Sequence, residues 1–195
     1  MSWLHTARQF DDVAPTAWYA PDVDWARYRE VVAGFEDHTF RGDLTADRAT
    51  TVGVLWQLMD APTATPHPFS DVAPGDPAVS WAAAQGIANG FGDGTFRPAD
   101  PVNRAQAVMM LWNVAGRPAA AGPPPYTDVG PHAWFAEGLA WATAQGLVAG
   151  YPDGTFRAAE PVSRAQLTSW TSALAHARAA WAPGTAMPTT VVFAP

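Results

Sequence analysis

The chain has 195 residues, nearly half of them hydrophobic, with ten tryptophans, 19 prolines and no cysteine. A formal net charge of −7 with scattered acids argues against a nucleic-acid backbone as partner, which needs a basic face. Disulfides and thiolate metal sites are excluded, and no apolar run approaches the ~20 residues that span a bilayer.

There is no lysine, so every Lys/Arg-type cation is an arginine. Codon bias in a GC-rich genome accounts for this, and it leaves a use for arginine's planar fork on carboxylates. Met1 to Phe10 holds no apolar stretch of the kind that heads a signal peptide. The expectation is either an excised or mature piece of a surface protein or a chain that stays inside the cell.

In chain order, the same elements recur three times. Each copy opens on an aromatic-x-Asp-Val tetrad at Phe10–Val13, Phe69–Val72 and Tyr126–Val129. The aromatic reads as an anchor, and the carboxylate as an acceptor for nearby backbone N–H groups. A first helix follows, expected roughly over 19–32, 77–88 and 134–147 and carrying Trp25, Trp81 or Trp141, which read as core.

Nine residues after each tryptophan comes a glycine (Gly34, Gly90, Gly150). It opens a turn: Gly-Phe-Glu-Asp-His-Thr-Phe-Arg, Gly-Phe-Gly-Asp-Gly-Thr-Phe-Arg and Gly-Tyr-Pro-Asp-Gly-Thr-Phe-Arg. Asp-Gly supplies the positive φ of a tight turn, so His38 in copy one predicts a strained or differently shaped turn. Phe40, Phe96 and Phe156 are expected to tuck into the core and pin the loop.

A second helix starts at Arg48-Ala49, Arg104-Ala105 and Arg164-Ala165, always 23 residues after the tryptophan. Asn103 with Gln106, and Ser163 with Gln166, fit a capping box, whereas Asp47 with Thr50 makes half of one. In copy two this helix is apolar almost all round, which places the second helices at the centre and the first helices around them. Pro/Ala-rich joins at 61–68 and 117–125 separate the copies, and a proline-broken tail follows 181. The turn glycines lie 56 and then 60 residues apart, so insertions fall outside the repeated unit. A unit this short cannot bury its own core, so the copies must pack on one another.

The assembled pattern resembles the S-layer homology (SLH) repeat, over about residues 10–180. The resemblance implies one compact all-α body over 1–195, a pseudo-threefold bundle of three repeats (10–60, 69–116, 126–181) with a tail at 182–195. It also implies a non-catalytic module at the cell surface, needing no cofactor or metal. It would bind an acidic, pyruvylated cell-wall polysaccharide in grooves between repeats, with S-layer or other surface proteins as further candidate partners. The family motif Thr-Arg-Ala-Glu maps onto Asp47–Thr50, Asn103–Gln106 and Ser163–Gln166. That motif carries Arg48, Arg104 and Arg164 over as glycan ligands, together with Gly34, Gly90 and Gly150.

The residues support the mapping independently. An arginine in the first turn of a helix sits beside free N–H groups and the positive end of the dipole, where an anion is favoured. A guanidinium grips a carboxylate through two parallel hydrogen bonds. Trp18, Trp134, Phe91 and Tyr151 are the aromatics placed to stack on a pyranose. On the structural alternative, the arginines are compensated by Asp37, Asp93 and Asp153, or by Asp12, Asp71 and Asp128. The alternative function is a scaffold of the same family that binds protein or itself. Copy two lacks the early tryptophan, and copy one has His38 and Thr50 in place of the motif residues. The Arg164 copy keeps the most motif. Scattered histidines and a single aspartate per turn provide neither a catalytic constellation nor a calcium loop.

Overall fold

The computed structural model describes residues 10–180. The tail expected from 182, and residue 181, lie outside the described residues. Six helices form among the described residues: α1 (Ala20–Tyr28), α2 (Arg48–Leu58), α3 (Pro77–Ala84), α4 (Arg104–Val114), α5 (Ala136–Ala144) and α6 (Arg164–Ala180). Among the described residues there is no strand, only three isolated bridges, and the fold is all-α as expected. No described helix is long and apolar enough to cross a membrane.

The second helices start where their caps dictate. Asn103 and Gln106 close a full capping box on α4, Ser163 and Gln166 exchange the same two bonds, and Asp47 caps α2 through the Thr50 N–H alone. The first helices stop earlier than the sequence pattern suggests. Glu30, Gly86 and Gly146 take φ of 56°, 62° and 68° and turn the chain out of the helix. The following N–H groups reach back five residues: Val31 to Ala26, Ile87 to Ala82 and Leu147 to Ala142. This double closure satisfies the last carbonyls, and glycine is its natural residue. Glu30 carries a side chain in that left-handed position. Glu30→Gly is therefore expected to stabilise the chain by about 0.5–1 kcal/mol, read as a higher urea midpoint.

Which helix packs on which is the main feature of the fold. Helices α2, α4 and α6 contact one another, so the second helices do form the centre. Each first helix lies on the second helix of the preceding copy: α3 on α2, α5 on α4, and α1 on α6. The two helices of one copy do not pack together. At the hub, Ala46 donates to Val162, Val162 to Val102, and Val102 to Ala46, at 2.9, 2.9 and 3.0 Å. All three residues are fully buried, so every copy is hydrogen-bonded to both others.

Phe40, Phe96 and Phe156 are completely buried, as expected of loop pins. Trp81 and Trp141 are core residues, but Trp25 is only half-buried and rests against the His176 ring. Tryptophans on the second helices hold the joins: Trp56 Nε1 donates to Pro62 O and Trp112 Nε1 to Pro118 O, both at 2.9 Å.

Candidate functional site

Each turn is a closed hydrogen-bonded unit. Asp37 Oδ1 accepts from the Thr39 hydroxyl at 2.6 Å and from its N–H, while Asp37 Oδ2 pairs with Arg41 Nη2 at 2.8 Å. Asp93 and Asp153 repeat this with Thr95/Arg97 and Thr155/Arg157. The threonine hydroxyl first, and the arginine next, hold all three carboxyls down at about 2. Asp12, Asp71 and Asp128 each clamp two successive N–H groups, those of Phe40/Arg41, Phe96/Arg97 and Phe156/Arg157, at 2.6–2.7 Å. The clamp holds Arg41, Arg97 and Arg157 at φ of 55–57°. His38 adopts φ 62° and makes the same turn bond as Gly94 and Gly154, so copy one keeps the shape and carries the strain.

The turn glycines are required by crowding. None has a positive φ. A Cβ on Gly34, Gly90 or Gly150 would run into the tetrad ring of its own copy (Phe10, Phe69, Tyr126) and into the carbonyl of Thr39, Thr95 or Thr155. The aromatic anchor of the tetrad thus occupies the space that each glycine leaves.

Arg48, Arg104 and Arg164 each cross to the next copy. Arg48 donates through Nε to Phe96 O and through Nη2 to Asn89 O, at 2.8 and 2.7 Å. Arg104 does the same with Phe156 O and Ala149 O, both at 2.8 Å, and Arg164 with Phe40 O and Ala33 O at 3.0 and 2.9 Å. Burial pulls all three guanidinium groups below the ordinary arginine pKa. No carboxylate lies within ion-pair distance of them among the described residues. The aspartates weighed as their compensators bond to the turn arginines and the backbone, and Asp71 and Asp12 attract Arg48 and Arg164 only through space.

Two expectations about these arginines need correction. The first-turn N–H groups are not free. Those of Arg48 and Ala49 donate to Asp100 O and Pro98 O, those of Arg104 and Ala105 to Glu160 O and Ala158 O, and those of Arg164 and Ala165 to Leu44 O and Gly42 O. The helix ends are sealed by the next copy and offer an anion nothing. The side-on guanidinium fork, Nε–H with Nη2–H, is likewise spent on carbonyls. What remains is Nη1, which makes no hydrogen bond to a described residue. No sealed side-chain nitrogen among the described residues is unpartnered, so each Nη1 keeps contact with solvent.

Two of these arginines, Arg48 and Arg164, line grooves where copies meet. Arg48, from copy one, lines a groove of about 320 Å³ with Asn89, Gln106, Asn113 and Arg117 of copy two and Trp134 of copy three. Trp134 is 64% exposed and stands edge-on to Phe135. This groove has two arginines and no acid in its wall. Arg164 lines a second groove of about 420 Å³ whose wall includes Glu30, Asp76, Trp56 and Gln57. Asp76–Pro77 stands there in place of the early tryptophan that copy two lacks. The groove of the copy with the most complete motif is thus the one with two acids, which disfavours an anion.

The remaining aromatics divide. Phe91 and Tyr151 each lie between two guanidinium groups. Phe91 is 3.9 Å from Arg97 Cζ and 5.2 Å from Arg48 Cζ; Tyr151 has the same distances to Arg157 and Arg104. The Tyr151 hydroxyl donates to Glu160 Oε2 at 2.8 Å. Trp18 is 64% exposed and packs edge-on against Tyr19. Sequence reasoning passed over Arg117, Asn113, Glu30 and Asp76. The Arg117-to-Asn113 bond joins residues four apart across the end of α4, a spacing visible in the sequence, but nothing there placed the pair beside Arg48.

Three segments of the chain, residues 9–51, 68–108 and 125–168, match the S-layer homology domain. The chain is also similar to "Cell surface glycoprotein 1" of Acetivibrio thermocellus, 36% identical over 83 residues. That match covers 41% of this chain and 4% of the relative, so the chain corresponds to a small part of a much longer protein.

Proposed function

Because the chain belongs to the S-layer homology domain family, we propose that it is a non-catalytic attachment module binding an acidic cell-wall polysaccharide in its inter-copy grooves. Family membership and the cell-surface relative support a role in anchoring at the cell surface. The finer reading, a pyruvylated sugar as the ligand, draws its support from one observation. Arg48 is 6% exposed, tied down by two carbonyls, in ion-pair contact with no carboxylate, and lines a groove shared by three copies. A cation held rigidly, touched by no carboxylate and attracted only at a distance by Asp100 and Asp71, is matched to an anion from outside.

Within this reading the Arg48 groove is the principal site. A ketal carboxylate accepts from Arg48, Arg117 adds positive potential, and the Trp134 ring faces the apolar side of the pyranose. Gln106 and Asn113 supply amides to hydroxyls. The Arg164 groove binds the same sugar more weakly, because Glu30 and Asp76 repel the carboxylate.

Retention on purified polymer, with and without the ketal, tests this. Loss of binding on ketal removal is expected. Trp134→Ala should weaken binding about fivefold while leaving the circular dichroism spectrum unchanged, since the ring is mostly exposed and an aromatic contact of this kind is worth about 1 kcal/mol. Equal retention of both polymers removes the carboxylate mechanism and favours the protein-binding scaffold.

A further inference from the structure

The two grooves and the matching boundary at Arg104, the third groove position, share one plan, and one helix position separates them. Six residues after the first-turn arginine of α2, α4 and α6 stand Val54, Met110 and Trp170. Each faces the arginine entering from the preceding copy. Val54 shares the 420 Å³ groove with Arg164, and Met110 shares the 320 Å³ groove with Arg48. The Trp170 ring centroid lies 5.0 Å from Arg104 Cζ.

The arginines become less accessible as this residue grows. Arg164 is partly exposed, Arg48 is 6% exposed and Arg104 is 3% exposed. Trp170 itself is 7% exposed, so its ring is packed inside and does not stand at a rim. A second closure sits beside it. The Ser169 hydroxyl donates to Asp22 Oδ2 at 2.7 Å, tying α6 to α1. The equivalent positions in the other two copies, Gly53 and Met109, have no hydroxyl to make that bond.

We propose that Trp170 occupies the place of the ligand ring in the third groove, and that this helix position decides which grooves admit a sugar. The inference rests on the glycan reading given above. An indole on a buried guanidinium supplies the π-face contact that compensates the desolvated cation, so Arg104 needs no ligand. Arg104 is then a tie between copies, Arg48 is both a tie and a ligand, and the chain has at most two glycan sites.

Calorimetric titration with a monovalent pyruvylated saccharide reads the number of sites directly. Wild type is expected to show no more than two per chain. Trp170→Met, which copies the Arg48 groove into the third, should add one site. Met110→Trp, which copies the third groove into the first, should remove the tight site and weaken the overall affinity at least tenfold. Circular dichroism checks that each variant is native, and the wild-type count stands whether or not either variant folds. Three sites in wild type overturn the inference, as does an unchanged count in a native variant. No binding by wild type at all overturns the glycan reading, and this inference with it, which separates the two failures.

Discussion

Arg104→Ala is expected to lower the stability of the chain by about 3 kcal/mol, the first of two large effects. The side chain is 3% exposed and makes two charge-assisted bonds to carbonyls of the next copy. Such bonds contribute roughly 1.5–3 kcal/mol each. Release of a desolvated cation offsets part of the loss, and the unpaired carbonyls of Phe156 and Ala149 add to it. Lysine keeps the charge, but one ammonium cannot meet both carbonyls in a planar fork, so Arg104→Lys should recover less than half. Urea unfolding measures both. A midpoint for Arg104→Ala within about 0.5 kcal/mol of wild type would show that the crossing arginine is not a structural tie. Arg164→Ala should cost less than Arg104→Ala, because that side chain is more exposed and its bonds, at 3.0 and 2.9 Å, are longer.

The second large effect is Gly150→Ala, with an expected cost of about 3 kcal/mol. The added Cβ would sit 2.5 Å from Thr155 O and 2.8 Å from Tyr126 Cδ1. Overpacking a filled site costs about 1–3 kcal/mol, more where backbone must move. Here one of the two obstacles is a backbone carbonyl, so the upper end applies. Combining Gly150→Ala with Tyr126→Ala removes the ring and leaves the carbonyl. The double variant should therefore lose less than the sum of the two single losses, with a coupling of 0.5 kcal/mol or more on the scale expected for residues in contact. Strict additivity would mean that the ring and the glycine do not share the space assigned to them.

Much of the local structure was legible in the chain. The second helices begin at the arginines, with the caps that Asn103/Gln106 and Ser163/Gln166 announce. The phenylalanine pins are buried and the second helices are central. Two matters differ from the sequence pattern for identifiable reasons. The first helices stop early because a left-handed residue ends them, and at Glu30 no glycine signals it. The helix N-termini looked open to an anion because their backbone acceptors, Asp100, Glu160 and Leu44 among them, lie in another copy. The Arg164 copy keeps the most motif, and Glu30 and Asp76 enter the wall of its groove from copies one and two, outside the motif altogether.

By itself the sequence determined what each copy is: its tetrad clamp, its turn, its caps and its pattern of burial. These depend on residues within a few positions of one another, or on a fixed spacing that all three copies repeat. Only the tertiary structure decided which copy each element serves. Because the copies carry the same motif, an arginine finds chemically equivalent carbonyls in its own copy and in its neighbour, and no periodicity distinguishes them. The choice falls to the packing of α3 on α2, α5 on α4 and α1 on α6, and to the hydrogen-bonded hub that closes the ring. That offset carries each guanidinium across a boundary and, at Arg48 and Arg164, sets beside it side chains from a third copy, and so makes a groove where the repeated unit alone has none.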